Sequence, residues 1–270
     1  MHNSILKSIK SLPPLPQTVI DVNRICSNKE ASIADLVKVL EKDPMVVANI
    51  LKLANSPLYN FGKDIKNVSQ AVSRFGMTMI QSIVISNSIR KLLNVDMKPY
   101  GVSSGKFAEI SLYQSNLILK WYKNIDEQKA EELYLAGFLQ EVGKILIANY
   151  IIQENESISF LSEINTSNNI AEVERIYANT TSSEVTAKIF EHWDFDRKFI
   201  TMIKYSDNPY QAPQNIKEYA LALNIIKTIV PVNQPLSEQS INFGLRKASD
   251  AKYNHEILED EVDGILELTK

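Results

Sequence analysis

The chain has 270 residues and a formal net charge of −3, with 44% apolar and 23% charged residues. This length and balance allow one large or two smaller folded domains and exclude a disordered chain. Glycine is scarce, at 8 residues, which argues against nucleotide-binding α/β folds and β-sandwiches, because phosphate loops and tight hairpins depend on glycine. The single cysteine, Cys26, excludes an intrachain disulfide and fits a reducing compartment.

The first third of the chain carries clear helix signals. Ser32 and Asp35 form a capping-box pattern before a periodic apolar run, and Asp43-Pro44 is typical of the start of the next helix. The sequence Asn55-Ser56-Pro57 is predicted to end that helix, because proline disfavours the α conformation of the residue before it. Further helices are predicted over about 67–75 and 78–93, with Gly76 between them in a left-handed conformation.

The middle and end of the chain predict a second helical lobe. Residues 96–106 hold Pro99, Gly101 and Gly105 and are predicted to be a linker. Apolar periodicity then predicts helices over 107–122, 128–150, 170–177, 182–192, 196–205 and 216–229. The predicted division is an N-terminal lobe over 1–95, the linker over 96–106, a second lobe over 107–235, and a C-terminal helical extension or tail over 236–270.

Few residues point to nucleic-acid or membrane binding. Residues 32–56 look like a helix–turn–helix, but the second helix offers only Asn49 and Lys52 for base recognition, so we expect no nucleic-acid partner. The longest apolar stretches, such as 145–152, fall well short of the roughly 20 residues that a membrane span needs. The N-terminus also lacks a secretory apolar run, so we expect a cytoplasmic protein with no membrane association.

Three sequence runs carry a family resemblance. The run LPPLPQTVIDVNRIC, then ADLVKVLEKDPMVVANILKLANSPLY, then SQAVSRFGMTMIQSIVIS, resembles the HDOD family, the HD-related output domain of bacterial signalling proteins. The resemblance is strongest over 12–93 and continues more weakly through GFLQEVGK to about residue 209. It implies an all-α, two-lobed fold whose second lobe is similar to HD-domain metal-dependent phosphohydrolases.

The resemblance also locates the positions where such enzymes bind divalent metals through His residues, a His-Asp doublet and a distal Asp. A catalytic metal must lower the pKa of a bound water and hold a phosphate oxygen, and neutral side chains are poor ligands for that purpose. Here the doublet position holds Gln140-Glu141, and only Glu141 and Asp207 are anionic. We therefore predict a degenerate site with no catalytic residue, no metal and no cofactor. The residues that the resemblance places in this vestigial cleft are Gln114, Gln140, Glu141, Ser182, Ser206, Asp207 and Asn224.

Three functions are consistent with that pattern. Replacement of the metal ligands favours a non-enzymatic signal-transduction module that acts through contacts with other signalling proteins. One alternative is a residual metal-dependent phosphohydrolase acting on nucleotides or cyclic dinucleotides. The other is a sensor in which the cleft binds a small nucleotide ligand, although the same residues can instead form a buried polar network that holds helices in register.

Overall fold

A computed structural model describes residues 1–28, 30–55, 64–93 and 96–269 of this chain. All regular secondary structure in these ranges is helical, which confirms the predicted all-α class. The chain forms two compact units. The smaller is Pro13–Leu92, and the larger combines Met1–Leu12 with Leu93–Lys270.

The smaller unit begins its helices where the local sequence supplies caps. Ser32 and Asp35 form a reciprocal capping box, as predicted. The Asp43 carboxylate accepts hydrogen bonds from the N–H groups of Met45 and Val46. The predicted helix stop at Ser56-Pro57 lies outside the described residues. The helices of this unit are α2 (Gln17–Cys26), α3 (Ile33–Leu40), α4 (Pro44–Ala54), α5 (Val68–Phe75) and α6 (Met77–Leu92).

A tight connection joins α5 to α6 at Gly76. This residue has φ +78° and ψ 166°, so its φ is positive as predicted while its ψ is extended instead of helical. An L-residue with a side chain rarely adopts this φ, and glycine has no Cβ to oppose it. Gly76 therefore lets the chain change direction within one residue.

The larger unit contains most of the chain and all of the candidate site. It includes two short 3-10 helices, Lys98–Tyr100 and Pro209–Gln211. Its α-helices are α1 (Asn3–Lys10), α7 (Ser104–Lys123), α8 (Glu127–Leu139), α9 (Gly143–Gln153), α10 (Ser157–Thr166), α11 (Ile170–Ala178), α12 (Ser182–His192), α13 (Arg197–Lys204), α14 (Gln214–Ile229), α15 (Glu238–Asp250) and α16 (His255–Thr269).

Both ends of the chain belong to the larger unit. Residues 1–12 belong to the larger unit, because α1 buries Ile5 and Ile9 and packs against α9 and α12. The 236–270 segment is also part of this unit, and it is helical, which matches the first of its two predicted alternatives. A Cβ on Gly244 would lie 2.1 Å from Ile229, which shows how closely α15 approaches α14. The last helix, α16, buries Leu258, among other apolar side chains.

The segment 96–106, which was predicted to be a linker, packs within the larger unit. Tyr100 is fully buried, and α7 already begins at Ser104. The Tyr100 hydroxyl donates a hydrogen bond to Glu174 Oε1 at 2.9 Å. An aromatic side chain held at both its ring and its hydroxyl anchors this segment in the larger unit.

The predicted helix over 128–150 is broken into α8 and α9. The break is held by Thr186 of α12, whose hydroxyl accepts from the Gly143 N–H at 2.8 Å and lies 3.0 Å from the Gln140 carbonyl oxygen. The combined stretch Glu127–Gln153 is long and apolar enough to cross a membrane, but 83% of its most apolar window is buried inside the protein. It therefore forms part of the helical core, and its break places Gln140 and Glu141 at a turn.

Candidate functional site

The centre of the site is a buried group of polar side chains from α7 and the α8–α9 turn. Gln114 donates from Nε2 to Glu141 Oε2 at 3.1 Å and to the Val230 carbonyl at 2.9 Å. Gln140 donates from Nε2 to Gln114 Oε1 at 2.9 Å. All three predicted side chains are buried. The structure thus brings Gln114 into direct contact with both residues of the doublet position, Gln140 and Glu141.

A buried lysine ammonium lies beside Glu141. Lys144 Nζ is 2.6 Å from Glu174 Oε1 and 3.3 Å from Glu141 Oε1, and it donates to Ser182 Oγ at 3.2 Å. Glu174 also accepts from the Ser182 backbone N–H, at 2.5 Å. The Lys144 side chain is 2% exposed and that of Glu174 is 0% exposed. Every charged atom of this pair therefore has a protein partner in place of water.

A second ion pair lies on the other side of Glu141. Lys227 Nζ of α14 is 2.5 Å from Asp207 Oδ1 and 4.0 Å from Glu141 Oε1. Ser183 donates a short hydrogen bond from its hydroxyl to Asp207 Oδ2. Because Glu141 Oε1 faces both ammonium groups, one carboxylate lies between two cations. This arrangement, Lys144–Glu141–Lys227, is called the lysine bridge below.

The remaining predicted residues lie beside the bridge. Asn224 donates from Nδ2 to the Ser206 carbonyl at 2.7 Å. The Ser206 hydroxyl is buried, with no hydrogen-bond partner in the described part of the chain. Asn224 Oδ1 accepts from Lys247 Nζ at 2.9 Å. The Asn224 side chain therefore links the backbone of Ser206 to Lys247 of α15.

The charges of the bridge perturb its own titration. Burial alone would raise the pKa of Asp207, but the Lys227 ammonium and the Ser183 hydrogen bond hold it well below its usual value. Burial would lower the pKa of Lys144, yet the charges of Glu141 and Glu174 raise it well above its usual value. Near neutral pH, Lys144 is therefore protonated and Asp207 is ionised.

A cavity of about 680 Å³ opens next to the bridge. Glu141, Ser182, Asp207 and Asn224 line it. The other predicted residues, Gln114, Gln140 and Ser206, are buried behind its wall. The predicted cleft is thus a lined cavity with a second layer of polar side chains beneath it.

The donor set does not fit a divalent metal. Glu141 Oε1 already faces Lys144 and Lys227, and its Oε2 accepts from Gln114. Asp207 is likewise engaged by Lys227 and Ser183. Across residues 1–28, 30–55, 64–93 and 96–269, no three His, Cys, Asp or Glu side chains are placed to hold a metal ion. A metal entering this site would have to displace ammonium groups that already neutralise its carboxylates.

Sequence reasoning did not identify the lysines or Glu174. Lys144 is a charged residue within an apolar run, GKILIANYII, and that isolation is the signal that could have marked it. Lys227 follows the apolar stretch ALALNII in the same way. Glu174 gives no comparable signal, because it lies 30 residues from Lys144 along the chain.

The described residues thus form an all-α fold whose candidate site is a buried network of ion pairs and hydrogen bonds. The chain belongs to the HDOD family, because the HDOD domain model matches residues 12–209. This membership supports a signalling-related role. It also confirms the resemblance found in the sequence.

Known proteins similar to this chain support the same fold. A proposed phosphohydrolase from Shewanella amazonensis SB2B is 19% identical, with 97% of this chain and 94% of that chain covered and a TM-score of 0.75. An HDOD domain protein from Geobacter sulfurreducens is 16% identical, with 98% and 93% covered and a TM-score of 0.72. An uncharacterised protein from Treponema pallidum (strain Nichols) is 23% identical over 222 residues. That match covers 79% of this chain and 41% of the relative, so the chain spans about two-fifths of the relative's length.

Proposed function

We propose that this chain is a non-enzymatic signalling module that acts by binding other signalling proteins. The observation that carries the proposal is the lysine bridge, in which ammonium groups neutralise the acidic side chains at the position where HD enzymes use metal ions. An ammonium supplies positive charge and hydrogen-bond donors. It offers no open coordination position at which a water could become a nucleophile near neutral pH.

Catalytic activity is tested with the purified full chain. The protein is equilibrated with Mn²⁺ or Ni²⁺, and unbound metal is then removed. The metal content of the protein and its hydrolysis of a cyclic dinucleotide are measured. We expect less than one bound metal per chain and no turnover above buffer. Stoichiometric metal together with turnover that Glu141→Ala abolishes would refute the proposal and establish the residual phosphohydrolase alternative.

The role of the ammonium groups is tested with Lys227→Ala. This side chain is 11% exposed, and its loss leaves Asp207 without an ion-pair partner and Glu141 with Lys144 as its one remaining cation partner among the described residues. We expect Mn²⁺ to raise the melting temperature of this variant and to leave the wild type unchanged, because an ion that binds only the folded state stabilises it. Lys188→Ala is the matched control, since its ion pair with Glu191 is about half exposed. If Mn²⁺ leaves Lys227→Ala unchanged as well, the lysine does not stand in for a cation.

Protein binding is tested by crosslinking in cells that express the tagged full chain from its own promoter. We expect reproducible crosslinks to one or a few proteins of signalling systems, at defined residues of this chain. A helical protein of similar size and charge, carrying the same tag, is the control for non-specific capture. Crosslinks that match those of the control protein would count against a partner-binding function.

A further inference from the structure

The cavity beside the lysine bridge has the size and lining of a small-molecule site. Its volume of about 680 Å³ lies within the range of roughly 300 to 1,000 Å³ that such sites occupy. Amide and hydroxyl side chains make up much of its wall, and these groups both donate and accept hydrogen bonds. Six of them, drawn from three separate parts of the chain, are Asn168, Asn169, Asn208, Asn233, Gln239 and Ser240.

Lysines contribute unequally to the charge of this cavity. Lys144 and Lys227 are engaged by Glu141 and Asp207, so their charges are balanced within the wall. Lys247 of α15 differs, because no carboxylate of the described residues lies within ion-pair distance of its ammonium. The positive charge of Lys247 is therefore available to a ligand.

The surroundings of Lys247 orient its ammonium without a paired carboxylate, while burial and the Lys227 charge lower its pKa. Nζ donates to Asn224 Oδ1 at 2.9 Å and to Thr228 Oγ1 at 2.8 Å, both neutral acceptors on α14. An ammonium has three N–H donors, so one is left for another partner. Asp250 lies one turn further along α15 and also lines the cavity, but it forms no ion pair with Lys247. The lysine is thus fixed by two anchors while its third donor is free.

An aromatic side chain accompanies this cation. Tyr210 lines the cavity with 66% of its surface exposed. Lys217 Nζ lies over one face of this ring, 5.1 Å from its centroid, so the opposite face is the one open to a sugar or a base. Phe243 of α15 also lines the cavity, with 38% of its surface exposed. The combination of a cation, hydrogen-bonding amides and exposed rings suits a ligand with an anionic head and a polar or planar body.

We propose that the cavity binds a small phosphate monoester with a hydroxyl-bearing body, its phosphate held by Lys247. A phosphate presents several acceptor oxygens, which the free N–H of Lys247 and the neighbouring amide and hydroxyl donors satisfy together. This binding site is separate from the contacts with other proteins proposed above. Its test measures ligand binding to the purified chain alone, so either proposal can fail without the other.

Binding is measured by titration calorimetry and thermal shift on the full chain. The probes are ribose 5-phosphate, adenosine 5′-monophosphate, adenosine and inorganic phosphate. We expect both phosphate monoesters to bind and adenosine to bind at least tenfold more weakly, because it lacks the anionic head. If adenosine 5′-monophosphate binds more tightly than ribose 5-phosphate, and Tyr210→Ala removes that difference, the ligand is a nucleotide. Equal binding of the two esters identifies a sugar phosphate.

The assignment of the phosphate to Lys247 is tested by Lys247→Met. Loss of a charge-assisted hydrogen bond is expected to weaken ester binding roughly tenfold to hundredfold. Arg246→Met is the matched control, since it removes the same charge from the neighbouring position of α15, which does not line the cavity. Absence of binding by both esters, or equal weakening by Lys247→Met and Arg246→Met, would overturn the proposal.

Discussion

Replacing Lys144 with methionine is the most direct test of the buried ion pairs. Methionine keeps much of the side-chain volume but removes the ammonium that lies 2.6 Å from Glu174 Oε1 and 3.3 Å from Glu141 Oε1. The Glu174 side chain is 0% exposed, so water cannot take over the lost contact. Removing one partner from a buried pair costs about 3–5 kcal/mol, because the other charge stays buried and uncompensated.

A cost of that size is easily measured. Folded domains are stable by about 5–15 kcal/mol, so Lys144→Met should remove a large part of the total. Urea unfolding followed by tryptophan fluorescence is a suitable assay, because both tryptophans, Trp121 and Trp193, lie in the larger unit with the bridge. The measured change therefore reports on the unit that contains Lys144.

Two further variants separate charge from packing. Lys188→Met removes an ion pair that is about half exposed and should cost less than about 1 kcal/mol. The double variant Lys144→Met with Glu174→Gln should recover part of the stability lost in Lys144→Met, because the unpaired buried charge is then gone. If Lys144→Met costs no more than Lys188→Met, the argument that the bridge replaces metal charge is wrong.

Three other changes have outcomes set by the structure. The lowered pKa of Asp207 adds stability near neutral pH, and this stability is lost as the pH falls below about 4. Wild-type unfolding free energy, measured with urea, should therefore be lower at about pH 3 than at about pH 7. Asp207→Asn should make that difference smaller. Gly143→Ala should lower the free energy of unfolding in urea by about 2 kcal/mol, because its Cβ would lie 2.3 Å from the Ser182 carbonyl oxygen. The control is Gly264→Ala, whose Cβ would have nothing within 4 Å and which should stabilise α16 by up to about 1 kcal/mol. Thr181→Ala removes the cap of α12 and should lower the unfolding free energy by about 1 kcal/mol in the same assay.

Local chemistry made much of the fold predictable. The caps at Ser32 and Asp43 depend on residues within one turn of the helix start, and both were correctly predicted from sequence. The break between α8 and α9 was not predicted, because it depends on Thr186, which lies 43 residues from Gly143 along the chain. The packing of Tyr100 against the larger unit also escaped prediction, since its partner Glu174 is 74 residues away.

The candidate site shows the same division between local and distant information. Positions 114, 140 and 141 followed from the HDOD-like motifs, and the structure places their side chains in contact. The residues that determine the chemistry of the site, Lys144 and Lys227, had no place in that pattern. Comparison with the family motifs shows which expected metal-ligand positions hold other residue types. Only the three-dimensional structure shows that Lys144 and Lys227 lie beside Glu141 and Asp207.

In the proposed non-enzymatic module, the lysine bridge is the group that compensates the buried carboxylates. Acidic side chains that remain in a buried cleft after metal loss would be unstable, because a buried carboxylate needs a compensating charge. Lys144 and Lys227 supply that charge at Glu141 and Asp207. The raised pKa of Lys144 keeps it protonated, so it cannot accept a proton from water as a general base. The lysines that compensate the buried carboxylates are therefore poorly suited to activate a nucleophile, which is the physical reason for proposing a binding role in place of hydrolysis.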